Sequence, residues 1–325
     1  MPRQALEPTN YPFFDYRRFT FSLGISAGGS VWLSGSTAVR FDAARKAMVV
    51  DGDLVEQARV IFDKMRVTLA AGGLGLSHIV RIVQYVTPRA VADLPRLNAF
   101  VTGLLAGAAP AVSTVVVRSL LREEALIEIE AVATRGDHSK VEYLPSVTGS
   151  DRHQAWSRAD DLLASRGLRR QDVVRTIELL TSAAALRAGQ HDGSAGTVIR
   201  LLMPRLVDED TSVQLELGAS RDPDDEVVFA MAMGDPAAGD VTGQCKEIYA
   251  RLGHQLAVRG AGLDMVVKTT EFVTPEGLGD YRKTAEVRRG MFAPPFPAAT
   301  GVVCEGLPAA GAQIAVEAVA VRGAR

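Results

Sequence analysis

One pattern occurs three times along the chain and constrains the fold more than any other feature. A glycine stands six residues ahead of an apolar pair, a basic residue follows that pair, and a threonine closes the stretch. The copies run Gly73, Ile79, Val80, Arg81 to Thr87; Gly167, Val173, Val174, Arg175 to Thr181; and Gly260, Val266, Val267, Lys268 to Thr274. They lie 94 and 93 residues apart. Repetition at a fixed period marks a chain built from copies of one supersecondary unit.

Each glycine ends a helical pattern. Leu54, Ala58, Ile61, Met65 and Leu69 precede Gly73; Trp156, Ala159 and Leu163 precede Gly167; Cys245, Ile248, Leu252 and Leu256 precede Gly260. Each set is one apolar stripe on an otherwise polar helix, and the glycine suits the left-handed residue beyond a helix end. The β-branched segment after it reads as a strand. Gly72 to Gly75 therefore follows a helix and precedes a strand, the reverse of a dinucleotide-binding turn. A later strand closes each copy at 126–135, 213–221 and 314–322, with Glu130, Glu216 and Glu317 aligned. Upstream strands are expected at 19–23, 30–37 and 48–50 in the first copy, at 141–146 in the second and at 226–233 in the third. The middle copy is the shortest. The expected units are 1–137, a truncated 138–222, and 223–325. Polar stretches at 135–140 and 221–226 read as the linkers between them.

The formal charge of -2 offers no basic footprint for nucleic acid. Two cysteines make no disulfide framework. No secretion signal and no apolar run long enough to span a bilayer is read, so a cytoplasmic protein without membrane partners is expected. His78, His138, His153, His191 and His254 form no metal-spaced pair, and no metal or cofactor is expected. Cys304 has no neighbouring base in sequence and reads as a buried strand residue.

The ordered set, from the paired strands through the long helix, the Val266 to Thr274 strand, the Pro294 to Val303 segment and the Ile127 to Ala133 strand, resembles the Rid (reactive intermediate deaminase, YjgF-type) family. The resemblance covers nearly all of copies one and three, and the helix and final strands of copy two. It implies an α+β fold of three Rid/chorismate-mutase-like units, each a mixed sheet backed by two helices. Together they would form a single-chain pseudo-trimer with a central β-barrel. The family's units assemble as trimers with ligand clefts between neighbours, and covalent linkage would supply that trimer without association. Whether such pseudo-trimers associate further is left open.

The family's best-known activity is hydrolysis of enamines and imines to ketones and ammonia, with an arginine holding the substrate carboxylate and a glutamate handling protons or water. The arginine position falls on Val112, Ala195 and Ala299, so all three copies lack it. The acid position falls on Glu128, Gln214 and Ala315. The cleft aromatic maps onto Phe21, and the turn that offers backbone donors onto Ser34 and Gly35. A site of Glu128, Phe21, Ser34, Gly35 and Thr114 is expected on this basis. Glu128 has a bland alternative as a solvated strand residue. Glu130 shares its face, and both are not expected to sit deep. Glu271 is a second catalytic candidate, with Glu178 at the matching place in copy two; their bland alternatives are ion pairs with Lys268 and Arg175. Arg17, Arg18 and Arg282 are candidates for the missing base. The reading is a small-molecule enzyme using general acid/base chemistry on an imine, enamine or enol-type substrate, by hydrolytic deamination or a specialised biosynthetic step. Alternatives are a non-catalytic ligand-binding scaffold and a chorismatase-like enol-ether hydrolase, the latter by analogy of frame. The ribonuclease role sometimes attached to the family is disfavoured by the charge.

Overall fold

The computed structural model describes residues 2–136, 141–187, 196–222 and 226–324. Up to residue 134 these comprise strands β1 (Gln4–Ala5), β2 (Gly24–Ala27), β3 (Ser30–Leu33), β4 (Arg40–Asp42) and β5 (Ala47–Val49), helix α1 (Leu54–Ala71), β6 (Ile79–Val86), α2 (Leu94–Leu104), β7 (Ala111–Val116), β8 (Ser119–Leu120) and β9 (Ile127–Thr134). The middle stretch holds β10 (Glu142–Tyr143), β11 (Val147–Gly149), α3 (Arg152–Ser165), β12 (Val173–Leu180), α4 (Ala183–Arg187), β13 (Thr197–Leu202) and β14 (Val213–Ala219). The last holds β15 (Val227–Met233), α5 (Val241–Val258), β16 (Val266–Val273), α6 (Pro275–Leu278), α7 (Thr284–Met291), β17 (Ala298–Val303) and β18 (Ile314–Val321).

The same local chemistry builds the corresponding elements. Asp53, Asp151 and Asp240 cap α1, α3 and α5, each accepting a backbone N–H from the first turn. At the other ends Gly73, Gly167 and Gly260 have φ of 70°, 67° and 73°. In each case the residue after the glycine donates back to the carbonyl five positions earlier, on Leu69, Leu163 and Leu256. The following strand, β6, β12 or β16, pairs antiparallel with the closing strand (β9, β14, β18) and parallel with the strand before it (β7, β13, β17). Each antiparallel pairing has a register shift just ahead of the base: Ile79/Arg81, Val173/Arg175 and Val266/Lys268.

The sheets run β1-β2-β3-β9-β6-β7, β10-β14-β12-β13 with β11 also on β14, and β15-β18-β16-β17-β8. Three apolar clusters lie under the helices, and two others join residues of all three sheets, among them Tyr85, Ile177 and Phe272, and Trp32, Tyr143 and Phe229. The sheets meet through Gln214 to the Thr114 carbonyl (3.1 Å), Thr197 to the Phe229 carbonyl (3.1 Å) and the Ser22 N–H to the Pro297 carbonyl (3.1 Å). The closed central barrel expected from the resemblance is not found. Among the described residues, backbone pairing resolves into separate sheets that touch through single bridges such as Ser22–Ala298 and Leu202–Gly306.

Two strand expectations also change. Residues 19–23 are not a strand; the hairpin runs β2–β3, and Ser22 keeps only its bridge to Ala298. Of the strand expected at 141–146 only β10 forms; pairing resumes in β11 beyond Pro145, which has no N–H to give the ladder. No helix among the described residues is long and apolar enough to cross a membrane.

Candidate functional site

A cavity of about 1220 Å³ opens between the first and third sheets. Its floor is polar. Glu128 enters it from β9 and Lys64 from α1, while Thr300 and Gly301 contribute from β17. Tyr11, Phe14, Phe19 and Phe21 form an apolar wall, with Phe19 and Phe21 stacked at 5.4 Å. Arg18 and Arg282 stand toward solvent, while Arg122 and Arg288 are half-buried.

Glu128 and Glu130 are both buried, at 6% and 2% exposure, contrary to the expectation that only one would be. The reason is the third sheet, which brings a cation to their face. Lys268 pairs with Glu130 at 3.0 Å, and Arg81 with its other oxygen at 3.2 Å. Thr300 donates to Glu130 at 2.7 Å. Burial alone would raise the Glu130 carboxyl, but Lys268 and Arg81 outweigh it and hold it at about 2. Glu128 lacks an ion pair among the described residues. Burial pushes it up to about 8, with Glu130 adding to the rise and Lys268, the Gly301 amide and Lys64 opposing it. It is therefore mostly protonated at neutral pH and titrates where a proton carrier is useful.

Gly35 makes room for that carboxyl. A Cβ there would lie 2.1 Å from Oε1 of Glu128 and 2.8 Å from Oγ1 of Thr300. The Ser34–Gly35 turn does not present free donors, however. The Gly35 N–H goes to the Ala299 carbonyl (3.0 Å) and Oγ1 of Thr300 (2.9 Å), and the Ser34 hydroxyl donates to the Ser22 carbonyl (2.6 Å). The turn fastens β3 to β17.

Glu271 lines the same cavity at 1% exposure. Its partner is not Lys268, which has turned to Glu130. It accepts from Tyr249 (2.7 Å), Tyr281 (2.6 Å) and Arg288 (2.6 Å). Burial raises both phenols, so they stay donors. Glu178 pairs with Arg152 and Arg200, each at 2.6 Å, rather than with Arg175, which pairs with Glu317 at 2.5 Å. Phe21, Ser34, Gly35, Arg18 and Arg282 all line the cavity with Glu128 and Glu271. Thr114 does not: it sits on β7, and its carbonyl faces Gln214 of the second sheet. Ala299 lines the cavity where the family's arginine is missing; Ala195, His138 and His191 lie outside the described residues. Arg17 stacks over Tyr16 at 5.7 Å and does not line the cavity. Cys304 is buried, which pushes its thiol up to about 12. No cluster that could hold a metal ion is present among the described residues.

Sequence alone points neither to Lys64 nor, beyond Phe21, to the aromatic wall. Lys64 is 2% exposed and donates to the backbone carbonyls of Thr37 (2.8 Å) and Val39. Its ammonium lies 5.5 Å and 5.1 Å from the rings of Phe13 and Phe14. The available signal was its place on α1, one turn from Ile61 and Thr68, on the buried side.

The family model described as endoribonuclease L-PSP matches residues 17–135. Protein DfrA of Myxococcus xanthus is 35% identical over 115 residues, which are 35% of this chain and 83% of that protein. The chain belongs to the YjgF/Rid family. A RutC family protein of Pyrococcus horikoshii is 26% identical over 113 residues, 35% of this chain and 85% of its own length. Among solved structures, the YjgF gene product of Escherichia coli is 26% identical with a TM-score of 0.34, covering 41% of this chain and 99% of that one. Escherichia coli TdcF, solved with bound serine, is 22% identical with a TM-score of 0.34, covering 41% and 99%. The family match thus includes Glu128, Lys64, Phe19 and Phe21 of this Rid chain, while the other face of the cleft comes from β17 and α7.

Proposed function

We propose that this chain performs general acid/base chemistry on an imine, enamine or enol-type substrate, by default hydrolytic deamination, in the cleft between residues 1–137 and 223–325. The observation that carries it is the state of Glu128. Six glutamates are buried among the described residues: Glu128, Glu130, Glu178, Glu216, Glu271 and Glu317. Four of them are ion-paired, and Glu216 accepts from Gln214. Glu128 alone among these combines the lack of such a partner with a place on the large cavity. A carboxyl kept neutral by burial gives a proton to a leaving nitrogen or oxygen and takes one back from water.

The pseudo-trimer reading is part of the proposal, with 138–222 as the short middle unit. Its support is the common pairing scheme of the three sheets and a ring of buried charge where they meet. Arg81, Arg175 and Lys268 supply the cations; Glu130, Glu216 and Glu317 supply the carboxylates. The middle sheet lacks that acid: Gln214 stands at the place of Glu128, and Glu178, which matches Glu271, is held between two arginines.

The test is Glu128→Gln, assayed for ammonia release from imines generated in solution by an amino-acid oxidase. Turnover is expected to fall by at least about 100-fold, the scale of a lost general acid/base group, with an unchanged circular dichroism spectrum. Full activity in a folded variant discards this site.

A further inference from the structure

We propose that Lys64 is a covalent catalyst: its amine attacks the substrate's carbonyl or imine carbon and forms a Schiff base within the cleft. This rests on the reading of that cleft as the reactive site.

Two buried lysines stand near Glu128, and they are built differently. Lys268 is ion-paired with Glu130 and also donates to Thr300 and to the Leu33 carbonyl, so it is a structural cation. Lys64 forms no ion pair among the described residues. Its hydrogen-bond partners are two carbonyl oxygens, of Thr37 and Val39. A neutral amine has two N–H bonds and one lone pair, so these acceptors take both hydrogens and leave the pair free. The side chain lines the cavity that holds Glu128. The charged groups acting on Lys64 are Glu128 from β9 and Arg122 from the 121–126 loop. Burial, which Arg122 reinforces and Glu128 opposes, brings the amine down to about 7. A desolvated lysine of this kind is a competent nucleophile at neutral pH.

The atoms balance without any added cofactor. With an imine, the Lys64 lone pair forms a C–N bond and the C=N π pair moves to the substrate nitrogen. Glu128 protonates that nitrogen and later recovers a proton from Nζ. Glu128 passes that proton to the same nitrogen, the original C–N bond breaks and ammonia leaves, so that Nζ keeps one hydrogen in a protonated Schiff base and Glu128 is left as a carboxylate. Water adds to the Lys64 Schiff base with Glu128 as base, and collapse returns the amine and a ketone. With a ketone as the starting material, the first half releases water in place of ammonia.

The probe is phenylpyruvate with cyanoborohydride at pH 7, chosen because an aryl keto acid suits the aromatic wall. Peptide mapping by mass spectrometry then locates the reduced adduct. Lys64 is expected to carry at least about ten times the label of Lys46, Lys246 or Lys283, since an ordinary lysine near 10.4 is almost wholly protonated at this pH. Lys64→Arg should lose that adduct while the exposed lysines label as before. Label spread over exposed lysines with Lys64 unmodified overturns the proposal, and the wild-type map decides this even if the variant fails to fold. The two readings fail separately. An adduct on Lys64 alongside full turnover in Glu128→Gln removes only the acid/base assignment. No adduct alongside lost turnover in that variant removes only the covalent step.

Discussion

Replacing Glu128 by glutamine should change how stability depends on pH, in a direction fixed by its burial. In the folded chain the carboxyl is raised to about 8, against 4.5 for the ordinary group. Between those values the folded state holds a proton that the unfolded chain has lost. Stability contributed by this site is therefore present in full below about 4.5 and drains away as pH rises toward 8. From pH 5 to pH 8 the loss integrates to roughly 3 kcal/mol at 1.36 kcal/mol per unit. Lys64 acts in the opposite window. Its folded value near 7 lies below the ordinary 10.5, so its contribution is present above 10.5 and lost as pH falls through 7. The wild type should thus be least stable around pH 7 to 8 from these two groups together. Glutamine cannot ionise, so the acid-side loss should vanish in the variant. The assay is urea unfolding of both proteins at pH 5 and pH 8, followed by fluorescence of Trp32 and Trp156. The variant should gain about 3 kcal/mol relative to wild type on going from pH 5 to pH 8. Parallel pH dependence in the two proteins would refute a buried, neutral Glu128.

Other outcomes follow from single contacts. Gly35→Ala places a methyl 2.1 Å from the Glu128 oxygen, so turnover should fall at least about tenfold while the melting temperature moves little; steady-state kinetics with thermal melting reads both. Glu178→Gln leaves Arg152 and Arg200 facing a neutral group in a buried site and should cost about 3–5 kcal/mol in denaturant unfolding. Turnover per folded molecule should not change. Arg175→Met should destabilise by a similar amount, about 3–5 kcal/mol, and pairing it with Glu317→Leu should restore part of the loss; a double-mutant cycle measures the coupling.

Those parts of the fold written in local chemistry were legible in the sequence. The three left-handed glycines, the amphipathic helices ahead of them and the β-branched strands that follow them are each fixed by neighbours close in sequence, and each lies where expected. The site was legible only in part. Glu128 was identified through a motif, but its burial beside Glu130 depends on Lys268, which arrives from a strand more than a hundred residues away. Lys64 was missed because a lysine on an amphipathic helix is by default a solvated residue. Its bonds to the Thr37 and Val39 carbonyls and the packing of Phe13 and Phe14 over it show otherwise. Thr114 was assigned to the cleft because its strand continues the motif; the parallel pairing of β6 with β7 sends it instead toward the second sheet. Glu271 was matched to Lys268 by proximity in sequence, whereas α7 delivers Arg288 to it.

The most direct test of the whole account is a crystal soaked with phenylpyruvate, which is stable to hydrolysis and carries the reacting carbonyl. Density is expected in the cavity between the first and third sheets, with the ligand oxygen hydrogen-bonded to Glu128, the ring against Phe21, and the carbonyl carbon within reach of Nζ of Lys64. Density confined to another inter-sheet position, or a ligand that leaves Glu128 untouched, would contradict it.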